Sequence, residues 1–454
     1  MGGLDLSTSD LEGYHGEILQ RLRKARAKVG SILRITTKSG EVFEGALFPR
    51  SEYSDASHVV LKMKNGYNIG IHFDRAANIE IIGQGQQPRF AVPPAPRVEK
   101  GLSRVAIIST GGTIASRVDY RTGAVQPALS AADLTSVVPE LASIAQIDAH
   151  ILFSEYSENI GPIHWKGMAE EAAKRLTTGS DGVVISHGTD TMHYTSAALS
   201  FAMQNLPVPV LLVGSQRSSD RPSSDAPSNL TGAVAMAAKA NFAGVGVVMH
   251  ENISDRYIVA HQGTRVRKCH TSRRDAFQSI NSPYLARYDL KNRQLEDYHN
   301  APRRAKERKL AVKPNFDHHA TLLKFHPGFN HASIDSAISN GSRGIVIEGT
   351  GLGHLSKDCY TSIRKAVKDD VPIFMTSQTI WGRVDMNVYY TGRDLLAIGV
   401  TPLEDMLAET ALVKLMWVLA QSKSIDKVRS LMLDRVAGEI TDRTTIAEMP
   451  KIAS

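Results

Sequence analysis

Apolar and polar positions change period three times along this chain. Leu11, Ile18, Leu19 and Leu22 fall near helical spacing, so residues 1–25 read as an amphipathic helix. Val29–Thr37 is β-rich and runs into the turn Lys38-Ser39-Gly40-Glu41, with Val42–Phe48 as its hairpin partner and Pro49 as a stop. His58–Met63, the turn Asn65-Gly66 and Tyr67–Ile71 repeat that texture. Short strands separated by Gly and Asn turns predict a small β barrel of SH3-like or Sm-like shape over residues 26–84.

Residues 85–102 form a linker by composition, with Gly85-Gln86-Gln87-Pro88 and Pro93-Pro94-Ala95-Pro96 in it. The pattern then becomes parallel α/β. Val105–Ile108, Gly182–Ser186, Val208–Val213 and Val245–Met249 are buried-type strands, and Thr195–Met203 has a helical texture. This alternation predicts a doubly wound parallel sheet over residues 103–300, with ligands at the C-terminal strand ends. A basic linker over residues 301–317, containing Arg303–Lys309, leads to a second α/β unit over residues 318–423. Its strands are expected at Ala320–Phe325, Gly344–Glu348 and Pro372–Thr376, and a helical, surface-bound tail over residues 424–454. The fold class is therefore α/β, a small N-terminal β barrel followed by a two-domain body; no internal repeat is evident.

Composition narrows the setting. No apolar run approaches the ~18 residues of a membrane span, so no membrane partner is expected. The opening stretch carries acids and lacks a basic and an apolar region of the signal-peptide kind. Two cysteines, Cys269 and Cys359, are too few for a metal cluster and fit a reducing cytoplasm. A net charge of +7 and a pI of 9.2, spread over 454 residues, do not establish nucleic-acid binding.

The candidate chemistry sits where strands end. Ser109-Thr110-Gly111-Gly112-Thr113-Ile114-Ala115-Ser116 follows the first α/β strand, and its glycines let the backbone turn tightly beside a ligand. The Thr113 hydroxyl then stands near backbone N–H groups able to stabilise an oxyanion. Such a junction equally suits phosphate binding or a plain turn, but the dinucleotide fingerprint G-x-G-x-x-G is absent from it. His187-Gly188-Thr189-Asp190-Thr191-Met192 follows the strand Gly182–Ser186 in the same way. Asp190 or Thr191 could simply cap the next helix. A threonine hydroxyl needs a base to become a nucleophile. Lys268, within Arg265-Val266-Arg267-Lys268-Cys269, supplies an amine that becomes one only where burial and neighbouring charge favour its neutral form; most lysines are solvated surface charges. His187 and His193 lack a metal-ligand constellation, and core or hydrogen-bonding roles suit them better.

Thr110–Ala115 and His187–Met192 resemble the two signatures of the asparaginase/glutaminase family, in the family's order and each after a strand. The resemblance runs from about Val105 to Ala420. It implies an asparaginase-like body that hydrolyses a side-chain amide by threonine-dependent acyl transfer, without a metal. It matches Thr113 to the first-motif threonine, and Thr189 and Asp190 with Lys268 to a Thr–Asp–Lys triad. Ser157 and Glu158 match residues that hold a substrate's α-carboxylate and α-amino group; read alone, they form an ordinary polar loop. The family's lid tyrosine has its counterpart in the loop Ser116–Pro127, where Tyr120 falls a few positions from the aligned place. The acid completing that first triad has no alignable counterpart. Which threonine attacks, Thr113 or Thr189, stays open.

The residues before Val105 set the chain apart from a simple asparaginase and resemble the extension of archaeal glutaminase subunits that serve tRNA-dependent amidotransferases. That resemblance implies that glutamine is the substrate and that ammonia passes to a partner, the E subunit of such a complex. The partner would use ATP and Mg2+ to activate glutamyl-tRNA(Gln), in a heterotetramer built on a homodimer of this chain. This chain would need no cofactor, and it has no G-x-x-x-x-G-K-[ST]. Two alternatives are a free-standing L-asparaginase with an unrelated N-terminal domain, and an RNA-binding module on a catalytically dead scaffold. The run Arg303–Lys309 motivates the latter, but Phe43, Phe48, Tyr53, Tyr67 and Phe73 are few for stacking bases and partly needed for a core.

Overall fold

Alternating residues of the first β-rich stretch point to opposite faces, and one face is sealed by a helix. A computed structural model describes residues 11, 13–48, 50, 55–63, 68–84, 101–111, 116–118, 125–127, 138–217, 224–298 and 301–444. Helix α1 (Gly16–Lys24) precedes strands β1 (Ser31–Thr37), β2 (Val42–Leu47), β3 (His58–Lys62), β4 (Asn68–His72) and β5 (Ala76–Gln84). They form one antiparallel sheet in the order β4-β3-β2-β1-β5. Leu33 and Ile35 of β1 point inward with Leu47, Val59, Leu61 and Ile71, whereas Arg34 between them points out and pairs with Glu44. Ile18 and Leu22, one turn apart, seal this core. Two register shifts between β1 and β5, at Ile32/Leu33 and Thr36/Thr37, bend the sheet toward closure.

The central unit contains β6 (Arg104–Ser109), β7 (Ser116–Val118), β8 (Val125–Pro127), β9 (Gln146–Ile151), α2 (Pro162–Thr177), β10 (Gly182–Ser186), α3 (Met192–Ala202), β11 (Met203–Gln204), β12 (Pro209–Val213), α4 (Ala226–Lys239) and β13 (Gly244–His250). After these come β14 (Tyr257–Gln262), β15 (Val266–Lys268), β16 (Phe277–Ser279), β17 (Ala286–Asp289), β18 (Gln294–Asp297) and β19 (Ala311–Val312). The main sheet runs β18-β17-β14-β13-β12-β10-β6-β9. Strands β9, β6, β10, β12 and β13 are parallel, as expected, but β14, β17 and β18 extend the sheet antiparallel. The sheet is therefore mixed rather than wholly parallel. The short stretch from Glu251 to Arg256 cannot carry the crossover that a parallel return requires, so the chain doubles back as a hairpin.

Each parallel strand is buried on both faces. Ala106, Ile108, Ile185 and Leu212 face α2 and α3, while Val105, Ile107, Val184 and Leu211 face α4. A second sheet, β20 (Ala320–Lys324), β21 (Gly344–Gly349), β22 (Ile373–Ser377) and β23 (Thr401–Pro402), is parallel throughout. Helices α5 (His331–Ser339), α6 (Tyr360–Lys368), α7 (Tyr390–Ile398), α8 (Ala408–Gln421) and α9 (Ile425–Leu433) complete it. The two α/β units share one core: Phe201 of α3 stacks on Trp417 of α8 with ring centroids 6.0 Å apart.

Two stretches differ in role from their sequence appearance. In the basic run, Arg304 donates to the carbonyls of Ala240, Asp181 and Ala237 at 2.8, 2.6 and 2.7 Å, so it caps the C-terminal end of α4 through Ala240 and Ala237 and ties it to the residue before β10. Arg308 donates to Leu206 O at 2.7 Å, and Lys306 pairs with Asp181. Much of this charge is spent on the protein itself, which removes the main support for reading it as an RNA-binding face. The tail is helical only over α9 within the described residues, and the segment after that helix turns inward. Glu439 is fully buried against Lys414 at 2.5 Å and accepts the N–H groups of Val436 and Ala437. A purely surface-bound tail would leave that carboxylate in water.

Candidate active site

Three strand ends bring the described candidates together. β6 and β10 are adjacent and parallel, with Ser109 opposite Ser186. Beyond them, Thr110 donates its hydroxyl to Ser186 O at 2.7 Å, tying the first signature to the strand that carries the second. Gly111 has φ +113°, and a Cβ there would lie 2.3 Å from Glu155 O, so the loop after β9 packs directly on its backbone. Gly188 is constrained from the same side, because a Cβ would lie 2.9 Å from Ser157 Cβ. The loops after β6, β9 and β10 thus meet through glycine contacts. Thr113 and Tyr120 lie outside the described residues.

The second signature is held from behind by a neutral histidine. His187 is buried, and burial lowers its pKa to about 4. Trp165 Nε1 donates to Thr195 Oγ1 at 3.0 Å, which leaves the Thr195 proton for His187 Nε2 at 2.9 Å. His187 Nδ1 then donates to Gly188 O at 2.6 Å, an assignment that follows from the network. This chain of contacts fixes the turn that presents Thr189. His193 is also kept neutral, its pKa lowered to about 3 by burial first and by the charges of Arg267 and Lys268 next. His187 therefore fills a hydrogen-bonding position and His193 a buried one.

Lys268 arrives from β15 and bridges the pair that comes after β10. Its Nζ donates to Thr189 Oγ1 at 2.8 Å and to Asp190 Oδ1 at 2.7 Å. The ammonium side is sheltered, with 9% of the Lys268 side chain exposed, while Asp190 is 71% exposed. Neither Asp190 nor Thr191 makes a side-chain cap to α3. The Thr191 hydroxyl donates instead to Ser157 O at 2.6 Å, fixing the short 3-10 turn Ser157–Asn159 on which Ser157 is buried and Glu158 is exposed. Thr191 thus starts α3 as its N-cap residue, while its hydroxyl and the Asp190 carboxylate are each given to a separate contact.

Sequence reasoning passed over Thr110, Arg267 and Glu409. Arg267 pairs with Glu409 of α8 at 3.0 Å, next to Lys268 in the chain. The one signal was an acid within the largely apolar stretch Ala408–Gln421, which also carries Lys414. Burial holds the Glu409 pKa up, and the Arg267 charge opposes that rise.

The buried neutral histidines set a pH dependence of stability. His187, His193 and His261 have folded pKa values of about 4, 3 and 3, all below the ordinary 6.5. The unfolded chain then binds more protons below pH 6.5, so their stabilisation is complete above that pH and declines as pH falls toward 4. Between pH 6.5 and 5 each should remove about 2 kcal/mol. Urea unfolding at pH 7 and pH 5 measures this, and a flat profile would contradict the neutral burial.

Three family models cover most of the chain. The family described as Asparaginase, N-terminal, matches residues 104–303, and the Glutaminase/Asparaginase C-terminal domain matches residues 319–432. The GatD N-terminal domain matches residues 27–82. The D subunit of glutamyl-tRNA(Gln) amidotransferase from Sulfurisphaera tokodaii is 48% identical over 441 residues, covering 97% of this chain and 98% of its own. The same-named protein of Pyrococcus abyssi is 48% identical over 427 residues, covering 93% and 97%. The thermostable L-asparaginase from Thermococcus kodakarensis superposes with a TM-score of 0.66 at 33% identity, covering 74% of this chain and 99% of its own. Asparaginase folds thus account for the body but not for the N-terminal sheet.

Proposed function

Because the chain belongs to the asparaginase/glutaminase family, we propose that it is the glutaminase subunit of a tRNA-dependent amidotransferase that converts Glu-tRNA(Gln) to Gln-tRNA(Gln). The observation that carries this is the amidotransferase-type N-terminal domain joined to an amidohydrolase body in which Lys268 bridges Thr189 and Asp190. A free-standing L-asparaginase is not favoured, since the relatives matching nearly the whole chain are named as amidotransferase subunits.

The chemistry is acyl transfer. A threonine oxygen attacks the γ-amide carbon of glutamine, the C–N bond breaks, ammonia leaves, and water cleaves the resulting ester to release glutamate. With Thr189 as the attacking group, the Lys268 ammonium passes a proton to Asp190 and takes the one leaving Thr189 Oγ1; the contacts of 2.7 and 2.8 Å allow both transfers. That proton returns to the departing amine. Thr113 is the second candidate hydroxyl. Ser157 suits the substrate α-carboxylate, while the exposed carboxylates of Glu158 and Asp190 suit its α-ammonium.

The resemblance to amidotransferase D subunits brings partner subunits with it. The proposed partner is the E subunit, which uses ATP and Mg2+ to activate glutamyl-tRNA(Gln), with two copies of this chain in a heterotetramer. Free ammonia would protonate in water, so hydrolysis should be gated by the partner. Both described cysteines are free thiols, which suits the cytoplasm, and no described helix is long and apolar enough to cross a membrane. The test is steady-state ammonia release from glutamine and asparagine, with and without partner and charged tRNA. Glutamine hydrolysis is expected to rise on assembly. Full-rate hydrolysis by the isolated chain, or a preference for asparagine in the complex, would sink the reading.

A further inference from the structure

Lys268 can bridge Thr189 and Asp190 only if β15 is held in place, and the groups that hold it come from the C-terminal unit. Among the described residues β15 pairs with β16 alone, in a two-stranded ribbon outside the main sheet. Three contacts from Asp405–Thr410 reach the segment leading into Lys268. Arg265 is fully buried and donates to Asp405 Oδ2 and Asp405 O, both at 3.0 Å. Thr410 donates to Thr264 O at 3.0 Å. Arg267, adjacent to Lys268, pairs with Glu409 Oε1 at 3.0 Å.

Asp405 and Thr410 grip the backbone and side chains before β15, whereas the Glu409 contact acts inside the strand itself. Glu409 sits in the first turn of α8, nearly buried, and its Oε2 has no hydrogen-bond partner among the described residues. A buried carboxylate with one oxygen unsatisfied costs free energy relative to an apolar side chain in the same place. Packing alone would favour such a side chain in this apolar helix. The pair with Arg267 is the contact that the acid provides.

We propose that Glu409 is a positioning residue for the amide hydrolysis, fixing β15 through Arg267 and thereby the reach of Lys268 Nζ to Thr189 and Asp190. The inference rests on the glutaminase reading of that site. It makes the C-terminal unit part of the catalytic geometry within a single chain. Ser157, Glu158 and Asp190 are carried by the loops after β9 and β10 rather than by β15, so substrate binding should respond much less than turnover, although Asp190 also serves the α-ammonium.

The experiment is glutamine hydrolysis by the full-length chain, assembled with its partner, comparing parent, Glu409→Gln, Arg267→Gln and the double variant. Glu409→Gln is expected to lower kcat by about 10–100-fold, as small misplacements of a reacting group do, with KM changed by less than about twofold. The double variant should be no slower than the slower single variant, since both changes remove the same contact. Should Glu409→Gln fail to fold, Arg267→Lys carries the same kcat-against-KM test, because it keeps the charge and loses the planar fork. A kcat within about twofold of the parent, a KM that rises as kcat falls, or multiplicative losses in the double variant would each overturn the proposal. A parent complex that releases no ammonia would instead overturn the glutaminase reading, and this inference with it.

Discussion

Thr189→Ala is expected to lower ammonia release from glutamine by on the order of 10^3-fold or more, with the fold intact. The substitution removes an oxygen that lies 2.8 Å from Lys268 Nζ and leaves the neighbouring framework alone. His187, Trp165 and Thr195 still hold the Gly188 carbonyl, and Thr191 still holds Ser157. Thermal unfolding should therefore stay close to that of the parent. Lys268→Met should produce a loss of similar size, and the double variant little more, because groups that act as one unit do not contribute additively. Mass spectrometry of the acyl-enzyme, in Thr113→Ala and Thr189→Ala separately, assigns the attacking oxygen. Turnover by Thr189→Ala within about tenfold of the parent would remove this hydroxyl from the machinery.

Lys414→Met is expected to destabilise the chain by about 3–5 kcal/mol, the usual cost of leaving half of a buried ion pair unpaired. Lys414 and Glu439 both have side chains that are 0% exposed, and their charged atoms are 2.5 Å apart. Lys414 Nζ also donates to Met432 O at 2.9 Å and to Asp434 O at 2.5 Å, so its loss leaves two carbonyls without that donor. Burial lowers the Lys414 pKa, and the Glu439 carboxylate beside it opposes that fall. Glu439 meanwhile holds the turn at Val436 and Ala437, whose carbonyl accepts from Gln262 and Thr264. Loosening the tail thus reaches the segment before β15, and a fall in kcat should accompany the fall in stability. Equilibrium unfolding in urea measures the first effect; a change below about 1 kcal/mol would mean that water compensates the vacated site.

The sequence by itself determined the local elements and the identity of the chemistry. Period-2 alternation in Ser31–Thr37 dictates a sheet with one wet face whatever it packs on, because a strand turns successive side chains to opposite sides. The mostly apolar strands ahead of both threonine motifs had to be buried on two faces, which placed each motif at a strand's C-terminal end. The family signatures then named Thr189, Asp190 and Lys268 as one group.

Tertiary structure decided everything that depends on which distant residues meet. Lys268 reads as an ordinary surface lysine until β15 is brought beside β10, a contact between residues far apart in the chain. The antiparallel edge of the sheet came from a connection too short to cross over, and the strands themselves carry no mark of direction. Arg304 sits in a charged run and Glu409 in a largely apolar one, and neither setting shows its partner in the sequence. Only packing turned the first into a clamp on α4 and the second into the buried partner of Arg267. Charge is legible in a sequence, but desolvation and pairing are properties of the folded surroundings.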